Sequence, residues 1–135
     1  MKERELMALA KQAMTHAYAP YSCFWVGAAL LCDDGTVYQG CNIENASFSP
    51  TVCAERTAFF KAVSDGKRKF TAIAICGGKG GVITEICPPC GVCRKVMSEF
   101  CQPNFKVFLS GQRGEIQEYS LSQLLPLGFS AENMG

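Results

Sequence analysis

Two short segments hold side chains suited to metal chemistry. Pro89-Cys90-Gly91-Val92-Cys93 sets two thiols three residues apart at the predicted start of a helix, so both lie on one face. The positive end of a helix favours their thiolate forms. A soft dithiolate of this kind suits zinc. Redox dithiols and closed structural zinc sites use the same spacing, so the pair alone leaves the choice open. Cys53-Ala54-Glu55-Arg56 opens a second predicted helix and offers a third thiol. Three protein ligands leave one tetrahedral position free, the mark of a catalytic zinc. Glu55 stands two residues beyond Cys53, where its carboxylate could reach water in that position. An acid in the first turn of a helix has an equally good solvent-facing reading.

These segments need a frame to bring them together. Apolar residues at 6, 7, 9, 10, 13, 14 and 17 predict a helix over residues 3–18, ended by Pro20. Phe24 to Cys32 is a continuous apolar run, read as a strand buried on both faces. Asp33-Asp34-Gly35 predicts a turn, with Thr36 to Gly40 returning as the second strand of a hairpin. Asn42 to Thr51 lacks periodicity and reads as a loop. Val52 to Ser64 reads as a helix, Phe70 to Cys76 as a strand ended by Gly77-Gly78, and Cys90 to Phe100 as a third helix behind Pro88-Pro89. Strands follow at Phe105 to Leu109 and Glu115 to Tyr119, then a short helical turn at Leu121 to Leu125. Strands separated by helices imply parallel pairing, while the initial hairpin makes the sheet mixed. The expected fold is α/β: a three-layer α/β/α sandwich on a mixed five-stranded sheet, with residues 1–135 as a single domain.

Composition narrows the function. Thirteen basic and twelve acidic residues give a net charge of +1, with no excess to hold a polyanion. The basic run Lys67-Arg68-Lys69 follows Asp65-Gly66 and reads as a solvated turn. Nucleic acid is a disfavoured partner. No apolar run reaches the roughly 18 residues of a membrane helix. The first fourteen residues carry five charges and no apolar core of a signal peptide, so the expected location is cytoplasmic. Nine cysteines, an odd number, then read as free thiols. Most have apolar neighbours and behave as small hydrophobes. His16, the lone histidine, lies on the first predicted helix, so any zinc site here must be all-cysteine.

The two metal segments together resemble the signature of the zinc nucleoside deaminases. The likeness extends over nearly the whole chain, through Phe24 with Val26-Gly27-Ala28-Ala29-Leu30, Asn42-Ile43-Glu44-Asn45-Ala46-Ser47, Thr51 to Ala58, and Leu124-Leu125-Pro126 with Phe129. It is similar to the small homotetrameric cytidine deaminase family. The resemblance implies one Zn²⁺ per chain on Cys53, Cys90 and Cys93. It implies attack of zinc-activated hydroxide on C4 of cytosine, with Glu55 moving protons from water to N3 and the leaving amine. The products would be uridine or deoxyuridine and ammonia, a step of pyrimidine salvage. It implies a ribose-binding pair in Asn42 and Glu44, base-pocket walls in Phe24 and Phe129, and Ala54 in the substrate-binding set. Arg56 would donate hydrogen bonds to ligand thiolates, relieving the negative charge of three sulfurs on one zinc.

Each residue also has a plainer reading. Phe24 and Phe129 suit a core, Asn42 a turn, Glu44 a solvated loop and Arg56 a solvent-facing helix position. Two departures from the family pattern matter. Trp25 stands where relatives commonly carry proline, which puts the pocket wall in question. Cys87 offers a fourth thiol that would close the metal site, although Pro88 and Pro89 hold the segment extended. Two competing functions follow: a zinc-stabilised interaction module using Cys53, Cys87, Cys90 and Cys93, and a deaminase of nucleic acid or of a nucleoside antibiotic.

Overall fold

A computed structural model describes residues 1–135. In chain order the elements are α1 (Glu3–Met14), β1 (Phe24–Cys32), β2 (Val37–Cys41), α2 (Ala54–Ser64), β3 (Phe70–Lys79), α3 (Gly91–Phe100), β4 (Lys106–Ser110), β5 (Ile116–Ser120), α4 (Leu121–Leu124) and a 3₁₀ turn at Ala131–Met134. The strands form one sheet in the order β2-β1-β3-β4-β5. The expected mixed five-stranded sheet is present.

Alternation along the strands sorts the core into two layers. Ala28, Leu30, Ile73, Ile75, Val107 and Leu109 meet α2 and α3 through Ala58, Phe59, Ala62, Cys93 and Met97. Ala29, Ala72, Ala74, Cys76 and Phe108 meet α1 through Leu6, Met7, Ala10 and Met14. Phe59 is fully buried, with its ring centroid 5.1 Å from that of Phe70. Burying a side chain of that size contributes about 1.5–3 kcal/mol. It anchors the middle of α2, whose N-cap is Cys53.

The pairing rule held only in part. β3 and β4 are parallel, as a crossover through α3 requires. The strands on either side of α2 point the same way but do not pair, because β1 lies between them and is antiparallel to both. The first helix stops at Met14 rather than running to residue 18. The Tyr18 backbone is taken by the 42–44 segment: its N–H donates to the Asn42 carbonyl at 2.9 Å and its carbonyl accepts from Glu44 N–H at 2.8 Å. His16 therefore lies beyond the helix and is exposed. The 42–51 segment is not free of structure, since Ile43 bridges to both Tyr18 and Val52. That bridge keeps Val52 extended, so α2 begins at Ala54.

β3 runs past Cys76 through Gly77 and Gly78 to pair Lys79 with Phe24. Glycine at 78 ends no strand here. A Cβ on Gly78 would lie 1.9 Å from the Val82 carbonyl oxygen, so the residue admits the returning loop. Gly40 does the same for α2: a Cβ there would lie 2.4 Å from the Ala54 carbonyl oxygen. The close seat of β2 fixes the first turn of α2, where the chemistry sits.

Candidate metal centre

Cys53 is the N-cap of α2 and Cys90 the N-cap of α3, both in extended backbone conformation. Neither cap side chain is used to satisfy the helix end. Their thiols turn instead toward each other, 3.6 Å apart. Cys93, on the first turn of α3, lies 3.5 Å from Cys90. All three sulfurs fall within 4.8 Å of one another. Tetrahedral thiolates at the usual zinc–sulfur length of roughly 2.3 Å are about 3.8 Å apart. The spacing thus fits zinc without rearrangement.

The electrostatics point the same way. Three thiolates this close repel strongly unless a cation joins them. Without one, the Cys53 thiol is pulled down, chiefly by the hydrogen bond from Cys93 and then by Arg56, while the same shared bond and burial push Cys93 up. The Arg56 guanidinium lies 3.6 Å from Cys53 Sγ through Nη2 and also donates to the Thr51 carbonyl at 3.4 Å. Its own pKa is raised, first by the bond to Cys53. The expected thiolate partner is therefore in contact.

Glu55 is 4 % exposed at the start of α2. Burial above all, with the nearby Cys53 thiolate, pushes its carboxyl up to about 7. The solvent-facing reading of Glu55 does not hold. Ala54, between ligand and acid, is fully buried.

Cys87 stands apart from the three-sulfur cluster. Its Sγ lies against Gly77, and burial pushes its thiol up to about 12. The four-cysteine alternative therefore lacks its fourth ligand. Trp25 is turned to the α1 face, over Gly81 and beside Ile83. Its neighbour Phe24 alternates to the α2 and α3 face and is 39 % exposed. The substitution at 25 is thus across the sheet from the metal centre.

The remaining sequence candidates carry structural duties. Asn42 is buried; its Oδ1 accepts from Val26 N–H at 2.9 Å and its Nδ2 donates to the Phe24 carbonyl at 2.8 Å. It braces the start of β1. Glu44 accepts from Tyr21 N–H at 3.0 Å, from Ser22 N–H at 3.1 Å and from the Ser22 hydroxyl, which holds its carboxyl below the usual range. Phe129 is 59 % exposed, with its carbonyl held by Lys95 Nζ on α3. The structure joins Asn42, Glu44 and Phe24 on adjoining segments and leaves Phe129 outside them.

Sequence reasoning passed over Arg94. Its Nε donates to the Pro89 carbonyl and its Nη1 to the Leu124 carbonyl, each at 2.8 Å. The signal was its place directly after Cys93.

Residues 1–109 match the family model described as the cytidine and deoxycytidylate deaminase zinc-binding region. The cytidine deaminase of Sporosarcina psychrophila is 51 % identical over 134 residues, covering 99 % of this chain and 96 % of that one. That of Halalkalibacterium halodurans is also 51 % identical over 134 residues, with 99 % and 98 % covered. Among solved structures, the cytidine deaminase of Burkholderia pseudomallei superposes with a TM-score of 0.88 at 45 % identity, covering 96 % of this chain and all of that one. The Mycobacterium tuberculosis enzyme gives 0.80 at 36 % identity, with 96 % and 98 % covered. Sequence and fold agree along almost the full length, and the chain belongs to the cytidine and deoxycytidylate deaminase family of zinc enzymes.

Proposed function

We propose that the protein hydrolyses the 4-amino group of cytidine and deoxycytidine, giving uridine or deoxyuridine and ammonia. One observation carries this reading: two helix N-termini bring three thiols within 4.8 Å of one another, beside a carboxyl that is 4 % exposed. Cys53, Cys90 and Cys93 would hold one Zn²⁺. When bound, zinc supplies the Lewis-acid chemistry that makes water a nucleophile near neutral pH. Arg56 offsets the negative charge that three thiolates bring to the site.

Glu55 does the proton work. A carboxyl held at about 7 can both take and give a proton at working pH. It takes the proton that water loses on attacking C4, hands it to ring N3, and then helps protonate the departing amine. Phe24 and Phe129 would wall the base, with Ala54 under it. Asn42 and Glu44 would face the ribose. Asn42 acts in part by holding the Phe24 and Val26 backbone. An ionised Glu44 accepts from a sugar hydroxyl and repels a phosphodiester, which favours a free nucleoside over nucleic acid.

We further propose a homotetramer working in the cytoplasm in pyrimidine salvage. Phe60 and Val92 are each at least half exposed on the outer faces of α2 and α3, which suits burial against another copy. Phe129 would then reach a neighbour's site. No helix is long and apolar enough to cross a membrane.

The test pairs metal content with turnover. Wild type and Glu55→Ala should each carry one zinc per chain. The ultraviolet change on adding cytidine should be about 10²–10⁴-fold slower in the variant, the usual worth of acid–base catalysis. A variant that keeps wild-type turnover would contradict the assignment.

A further inference from the structure

The segment before α3 is poor in hydrogen-bond donors. Pro88 and Pro89 have no N–H, and Cys90 spends its side chain on the metal site rather than on capping α3. Something else must fix the orientation of Cys90. Two peptide planes flank its Cα, one ending in the Pro89 carbonyl and the other in the Cys90 carbonyl. Arg94 grips both. Its backbone N–H donates to the Cys90 carbonyl at 3.0 Å, and its Nε to the Pro89 carbonyl at 2.8 Å. Holding both planes fixes the backbone dihedrals of Cys90, and so the direction in which Sγ leaves the chain.

The same guanidinium reaches a second point. Nη1 donates at 2.8 Å to the carbonyl of Leu124, the last residue of α4. A final helical carbonyl has no partner within its own helix. The α4 start is secured separately, by the Ser120 and Gln123 capping box. Arg94 is half-buried, so these bonds are sheltered from competing water. One turn of α3 thus pins the C-terminal segment twice, through Arg94 at Leu124 and through Lys95 at Phe129. Only Arg94 touches the metal loop.

We infer that Arg94 is a positioning residue for the metal centre, setting the Cys90 sulfur against the docked C-terminal segment. The inference rests on the proposed zinc site. A lysine could keep the charge but not the role: its single ammonium cannot match a planar fork that reaches carbonyls on two segments at once.

Zinc release into excess chromogenic chelator tests this without reference to turnover. Loss of a contact that orients a metal ligand typically costs about 10–100-fold in metal affinity or activity. Arg94→Ala should therefore release zinc about tenfold faster than wild type or more, and Arg94→Lys should fall between the two. Lys95→Ala, on the same turn of α3 but without contact to the loop, should release at the wild-type rate. Thermal unfolding of each zinc-free protein checks the fold; should Arg94→Ala fail it, Arg94→Lys carries the test. Wild-type release from the arginine variants would overturn the inference while leaving the zinc site intact. Equal acceleration by Lys95→Ala would overturn it too, by pointing to general loosening of α3. A wild type that holds no zinc would overturn the metal site itself.

Discussion

The metal half and the proposed sugar half of the site are built on opposite plans. The metal half stands on two helix N-termini whose cap side chains, Cys53 and Cys90, are left free for chemistry. Cys93 and Glu55 are almost fully buried beside them. The sugar half stands on loops, and its polar side chains are already bonded to backbone: Asn42 to Phe24 and Val26, Glu44 to Tyr21 and Ser22. One half keeps its reactive groups unspent inside a rigid frame. The other gives its proposed binding groups a structural duty, so substrate contacts there would be coupled to loop shape. Damage to the metal half should abolish chemistry. Damage to the sugar half should weaken binding and loosen the loops together.

The largest break in that contrast is Cys93→Ser. A hard hydroxyl replaces a soft thiolate at a position 1 % exposed. Zinc affinity should fall more than about a hundredfold, beyond what outer contacts cost, and deamination should go with it. Metal analysis after dialysis reads the first effect; retention of stoichiometric zinc would contradict the ligand assignment.

A smaller effect sharpens the other side. Glu44→Gln should keep one zinc and raise KM for cytidine about ten- to a hundredfold, the worth of hydrogen bonds to a charged group. Because Glu44 also caps the 20–23 turn, its unfolding midpoint should drop slightly. Unchanged kinetics would remove Glu44 from the sugar site.

The smallest effect lies far from both halves. The Lys67 ammonium, 2.7 Å from Asp34, holds that carboxyl well below its usual range. A depressed carboxyl adds stability that is present above the unfolded pKa near 4 and is lost as pH falls through the folded one. Asp34→Asn should therefore narrow the stability difference between neutral and strongly acidic pH, only slightly because the pair is exposed, with turnover unmoved. Unfolding midpoints across that range, wild type against variant, give the answer; identical acid profiles would show that the pair contributes nothing.

The two halves also differ in how far the sequence revealed them. The metal half was legible because thiol spacing at a helix start is local information: Cys90 and Cys93 share one turn, and Cys53 opens another. The order of strands and helices was legible for the same reason. Whatever depended on distant partners was not. The first helix is shorter than its apolar spacing implies because the backbone of Tyr18 is claimed by residues 42–44. β3 is longer than its apolar run implies because Gly78, normally a break signal, here admits the Val82 backbone. The partner of Arg94 lies thirty residues away, at Leu124. The tension over Trp25 dissolved once alternation set it on the α1 face. Phe129 stays outside the metal centre of its own chain, which is why its role depends on the proposed neighbour.

The central claim is a metal held by three sulfurs with a fourth position left to solvent. X-ray absorption at the zinc edge of the wild-type protein reads this directly. The account predicts three sulfur neighbours at roughly 2.3 Å and one lighter ligand. A shell of four sulfurs, with Cys87 drawn in as the fourth, would contradict it.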